Sequence, residues 1–175
     1  IGVRLVGSEM CIRDRLTDKY RMLTVRPGPI VNYLGMTLDF SVQSSVKITM
    51  KGYIDEVLQF CGTTGVVSSP AAPNLFDINP DADKLDLKLK AEFHSRVMKL
   101  FYLAKRVRPD LLVAIQFLTT RVLAPDEDDW KKLERCLKYL NGTRELGVML
   151  EANGDLNSLV VAYIDASFGV HHDGK

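Results

Sequence analysis

The residue best suited to metal chemistry is Asp165. It ends the apolar run LVVAYID and is followed by the small residues Ala166 and Ser167. A carboxylate emerging from a core strand is a frequent starting point for metal-dependent phosphoryl transfer. A two-metal centre, however, needs several carboxylates from separate elements, and none is identifiable after Asp165. His171-His172-Asp173 reads as a solvated polar loop rather than a ligand set. The run Asp126-Glu127-Asp128-Asp129 cannot converge on one ion, because consecutive helical residues point about 100° apart; in a first helical turn the charges offset the helix dipole instead. His94 falls at the surface or boundary of a helix, and Asn141-Gly142-Thr143 explains itself as a helix stop rather than a glycosylation acceptor.

The cations fall into two groups. Lys99, Lys105, Arg106 and Arg108 gather at the end of one predicted helix. Lys131, Lys132, Arg135 and Lys138 occupy the faces of another that Trp130, Leu133 and Leu137 leave free. Such faces can track a phosphate backbone, although cations also suit the last turn of any helix.

Elements that would position these groups follow from periodicity. The segment IVNYLGMTLDF from Ile30 and the segment VKITM from Val46 are extended runs around the polar SVQSS, which predicts a β-hairpin. KGYIDEVLQF from Lys51 is a short amphipathic helix stopped by Gly62 and Gly65. Pro70, Pro73 and Pro80 make residues 66–84 a connector, too apolar at Leu75, Phe76 and Ile78 for disorder. Three helices come next: about Ala91 to Val107, a second burying Leu111, Ile115, Leu118 and Val122 after the Arg108-Pro109-Asp110 break, and a third carrying Trp130, Leu133, Leu137 and Leu140. LGVMLEA and LNSLVVAYIDASF then read as strands that open a new sheet. The 175 residues, 46% apolar, suffice for one domain or two small ones, and the net charge of +1 selects no partner. Three scattered cysteines form no metal or disulfide pattern, and no apolar run approaches the ~20 residues of a membrane span. These features predict a soluble intracellular protein.

Taken in order, NYLGMTL, YIDEVL, FYLAKRVRPDLLVAIQFLTTRV, DDWKKLERCLKYLNGT and VAYIDASFGVHHDGK resemble the reverse transcriptase region of copia-type LTR retrotransposon polyproteins, from about Leu16 onward. The resemblance implies an α+β fragment. Residues 16–65 would be the end of the palm, with a primer-grip hairpin at Tyr33-Leu34-Gly35 and the first thumb helix. A linker over 66–90 and a helical thumb and connection region over 91–143 would follow, and 144–175 would start an RNase H-like domain. It implies that Lys105, Arg106, Arg108, Lys131, Lys132, Arg135 and Lys138 hold an RNA/DNA hybrid or DNA primer–template, and that Asp165 is the first metal-binding carboxylate of an incomplete RNase H site. Mg²⁺ would serve the parent enzyme, with none expected on this chain. Partners would be the nucleic acid and the rest of the polyprotein, without a membrane, in a cytoplasmic particle or the nucleus. The Tyr-x-Asp-Asp turn of the family is absent.

Residues 5–15, LVGSEMCIRDR, stand apart. They resemble the translation of a transposase-type sequencing adapter, which makes 1–15 an expected artefact without structure. The competing class is a non-enzymatic helical interaction module with a basic surface. The chain by itself is expected to show neither polymerase nor nuclease activity; Mg²⁺-dependent nucleotide incorporation by the pure protein would overturn that expectation.

Overall fold

The computed structural model describes residues 6–22 and 28–151. Asp165, His171, His172, Asp173 and the strand predicted over 156–168 lie outside the described residues. A helix, α1 (Val6–Tyr20), occupies much of the segment expected to lack structure, and its residues from Cys11 to Tyr20 are all exposed. The expectation of no structure rested on the resemblance to a translated adapter, whereas helical hydrogen bonds are made within the segment and do not depend on its origin.

The run from Ile30 is two strands rather than one. β1 (Ile30–Tyr33) turns through Leu34-Gly35 into antiparallel β2 (Met36–Asp39), and β3 (Ser45–Thr49) continues the meander. Leu34 and Gly35 have φ of 49° and 79°, as a two-residue hairpin of the primed kind requires at both central positions. β4 (Val148–Glu151) pairs with β3, giving the order β1-β2-β3-β4. The predicted opening strand of a new sheet is therefore the fourth strand of the existing one. Val31, Leu38, Ile48 and Val148 align across all four strands and form one apolar row. A glycine must introduce β4, because a Cβ on Gly147 would lie 2.2 Å from the Ile48 carbonyl oxygen.

The helices pack beside this sheet. α2 (Lys51–Cys61) ends at Gly62 in the left-handed region (φ 61°), as its sequence predicts. α3 (Leu87–Ala104) starts four residues before the apolar stripe, because the Asp86 side chain caps it by accepting the Leu89 N–H at 2.7 Å. A 3₁₀ turn (Pro109–Leu111) leads into α4 (Leu112–Arg121), and α5 (Glu127–Gly142) follows. Ile54, Val57, Phe93, Val97, Leu100, Leu111, Ile115, Leu118, Leu133, Leu137 and Leu140 form the buried core. Val122 is only partly buried. Among the described residues no helix is long and apolar enough to cross a membrane.

The connector is a strap laid along α5. Its prolines keep it out of helix and sheet, and tight turns close where the Leu75 N–H bonds the Ala72 carbonyl and the Ala82 N–H that of Asn79. α5 supplies the donors: Lys132 to the Asp77 carbonyl (2.6 Å), Arg135 to Ser69 Oγ (2.9 Å) and Asn141 to the Gly65 carbonyl (2.9 Å). Leu75 is buried beneath it.

Arg108, expected on the phosphate-binding face, is 1% exposed. Its Nε and Nη2 donate to the Asp110 carboxylate at 3.0 and 2.7 Å, and Nη1 donates to the Thr143 carbonyl at 2.9 Å. Nη2 also reaches Thr143 Oγ1 at 2.7 Å. A guanidinium enclosed this way cannot reach a phosphate, so its role is structural. Burial pushes the Asp110 carboxyl up, but hydrogen bonds from Arg108 and Tyr139 outweigh it and leave Asp110 below the ordinary carboxylate value. Stability from that lowered value is present above the unfolded-state value and is lost as pH falls through the folded one. Arg108→Met is expected to cost about 3 kcal/mol, because Asp110 keeps partial solvent access. The variant should also lose less stability than wild type between about pH 5 and pH 2. Urea unfolding across that range checks both, and an unchanged acid limb would contradict the assigned role of Arg108.

Candidate nucleic-acid interface

The hairpin tip stands out from the sheet, with Tyr33 60% and Leu34 59% exposed. It is not free, however. The Tyr102 hydroxyl, on α3, donates to the Leu34 carbonyl at 3.0 Å. Across Tyr102 lies Arg106, one helical turn later, with its guanidinium carbon 3.7 Å from the ring centroid. Tyr53 of α2 packs on Tyr102 at 5.2 Å between ring centroids and donates to the Lys99 carbonyl at 3.4 Å. Burial and the adjacent Tyr102 hold the Tyr53 hydroxyl above its ordinary pKa, so it remains a protonated donor. A Cβ on Gly35 would meet the Met50 methyl at 3.5 Å. That distance is tolerable, so the demand for glycine comes from its positive φ.

Three cations stand on aromatic faces near the end of α3. Arg106 covers Tyr102, Lys105 lies 5.1 Å from the Phe101 centroid, and Lys99 lies 4.9 Å from that of Phe60. None of them pairs with a carboxylate among the described residues. Each stem is therefore positioned by a ring while its charge stays available. The hairpin tip adds an exposed aromatic, Tyr33. Cations without carboxylate partners and an exposed ring are the elements of phosphate contact and base stacking.

The second cationic group is arranged differently. Lys131 pairs with Asp128 at 2.8 Å and Lys138 with Glu134 at 3.9 Å, while Lys132 and Arg135 anchor the strap. The α5 face that the sequence left open is half covered, and these four residues line a cleft with the strap.

The acidic run is structural, through contacts more specific than a dipole. Asp126 accepts the Asp129 N–H and Asp129 accepts the Asp126 N–H, a reciprocal capping box. Arg121 donates to both carboxylates at 3.0 Å, and Lys84 reaches Asp126 at 3.1 Å. Burial raises both carboxyls. For Asp126 the Asp129 N–H, Lys84 and Arg121 outweigh it and hold the group below its ordinary value; Asp129 stays above. His94 is exposed on α3, as expected. No group of three or more His, Cys, Asp or Glu side chains able to hold a metal occurs among the described residues.

Sequence reasoning singled out Tyr33, Leu34, Gly35, Lys105 and Arg106, and the structure brings Leu34 and Arg106 together through Tyr102. The sequence reading did not pick out Tyr102. Its i, i+4 spacing to Arg106 is a usable signal, whereas its bond to Leu34, 68 residues away, has none. Gly35→Ala is expected to destabilise the protein by about 1 kcal/mol, with Gly35→Asn milder, because alanine strains at positive φ. Equal denaturant midpoints for Gly35→Ala and wild type would refute the turn assignment.

No family model matches the chain, and no solved structure does. Among curated proteins it is 38% identical over 77 residues to the retrovirus-related Pol polyprotein from transposon RE2 of Arabidopsis thaliana, covering 44% of this chain and 5% of that protein. It is 23% identical to the putative transposon Ty5-1 protein of Saccharomyces cerevisiae, over 93% of this chain and 51% of the relative. An uncharacterized mitochondrial protein of Arabidopsis thaliana is 26% identical over 81% of this chain and 57% of its own length. The chain thus spans little more than half of the shorter relatives and a small part of the Pol polyprotein. Its similarity is to retrotransposon proteins.

Proposed function

We propose that this chain, similar as it is to retrotransposon proteins, is the part of a copia-type reverse transcriptase that grips the primer–template. The observation that carries this reading is the Tyr102 bridge: one side chain bonds the Leu34 carbonyl at the hairpin tip and carries Arg106 on its ring. A duplex lying against α3 would meet Lys105 and Arg106 as phosphate contacts while Tyr33 and Leu34 touched the primer end. Phosphate contacts position a nucleic acid without reading its sequence, which suits a polymerase that must accept any template.

Arg108 drops out of the binding set because it is buried. Lys131 and Lys138, although exposed enough to contribute, are already paired. The Mg²⁺-assisted phosphoryl transfer belongs, on this reading, to the parent polyprotein, with Asp165 as the first carboxylate of an RNase H-like site. No step of that chemistry falls to the described residues.

The test is fluorescence anisotropy with an RNA/DNA hybrid carrying a recessed 3′ end, titrated at several salt concentrations. Lys105→Gln with Arg106→Gln should weaken binding and reduce the magnitude of the salt slope by about 2, near 0.9 per phosphate contact. Tyr33→Ala should weaken binding to the recessed end more than to a blunt duplex. An unchanged slope in the double variant would sink the proposal and favour the interaction module.

A further inference from the structure

The cleft between the strap and α5 has features that primer gripping does not use. It measures about 590 Å³, within the range of small-molecule sites. One wall is apolar, formed by Val67, Pro70, Ala71, Leu75 and Ile78; the other carries Lys131, Lys132, Arg135 and Lys138. Such a cleft is too small for a nucleic-acid duplex.

Its charges are matched unevenly. Lys131 and Lys138 face Asp128 and Glu134. Lys132 and Arg135 have only neutral acceptors among the described residues, the Asp77 carbonyl and Ser69 Oγ. Arg135 Nε is buried with no acceptor among the described residues, and a buried donor left unmet is costly. Four cations against the three lining carboxylates Asp77, Asp128 and Glu134 leave one net positive charge.

We propose that this cleft binds an amphipathic monoanion, a small molecule with a compact apolar body and a single carboxylate or sulfonate head. The head would accept from Arg135 and Lys132, and the body would cover Leu75 and Ile78. A polyanion is disfavoured because Asp128 and Glu134 would repel its further charges.

The test uses the full chain titrated with 8-anilinonaphthalene-1-sulfonate, read by fluorescence, with competition by naphthalene-2-carboxylate, naphthalene-2-methanol, inorganic phosphate and a short single-stranded oligonucleotide. One saturable site is expected, competed by the carboxylate at least ten-fold better than by the neutral alcohol and not by phosphate. Lys132→Gln with Arg135→Gln should weaken it ten-fold or more. Asn74→Trp should block it by filling the cleft with both cations in place. Asp128→Asn should tighten it several-fold, a gain that loss of folding cannot imitate. Binding that does not saturate at one site, is unmoved by these variants, or is competed by the oligonucleotide and not by the carboxylate would overturn the proposal.

Discussion

A guanidinium can be buried only if its donors are met, and the Arg108 fork sets that condition for the whole chain. Asp110 meets it from two residues away. Thr143 meets it from the far end of α5 with both its carbonyl and its hydroxyl. The corner between α3 and α4 is thereby tied to the exit of α5, and other placements follow. After Thr143, Arg144 pairs with Asp55 and Glu145 with Lys51, both on α2. The chain is thus delivered to β3, where Gly147 permits the close approach that lets β4 pair. The same corner holds the end of α3, and with it Tyr102 and Arg106 against the hairpin tip.

A second charged junction controls the other end of α5. Arg121, from the end of α4, bonds both Asp126 and Asp129, and Lys84 adds the end of the strap. The Leu85 N–H bonds the Pro125 carbonyl and the Glu127 N–H bonds that of Asp83. The strap's late residues are fixed here and its early ones are held by Arg135 and Asn141. The cleft is the space left between the strap and α5. One cationic helix face therefore serves to hold the strap and to line the cleft, whereas Lys99, Lys105 and Arg106 stand on aromatic rings with no carboxylate partner among the described residues.

Much of this was legible in local pattern. The stripes of α2, α4 and α5 and the αL stop at Gly62 come from spacing and residue type. So did the structural character of the acidic run. The misses share a cause. β1 and β2 read as one strand because Leu34-Gly35 looks like a strand interior until the partner strand is seen; only Gly35 hinted at positive φ. Apolar periodicity begins α3 only at about Ala91, because Leu87 and Leu89 point to solvent and the helix is started instead by the cap at Asp86. The sequence reads β4 as opening a new sheet, because strand partners are chosen across about 100 residues by a register that sequence does not display. For α1, the resemblance of residues 5–15 to a translated adapter speaks to their origin and not to whether local helical hydrogen bonds form.

Local pattern accounts for the helices between Lys51 and Gly142, for the prolines and glycines that interrupt them, and for two groups of cations on helices. Those properties depend on neighbours within a few residues. What each cation does follows from how distant segments pack around it. Arg108 was enclosed, Lys132 and Arg135 were set on a strap, and Arg106 was placed over a ring bonded to the hairpin tip. A charge acquires its role from the desolvation and partners it meets, and those partners come from segments distant in the chain.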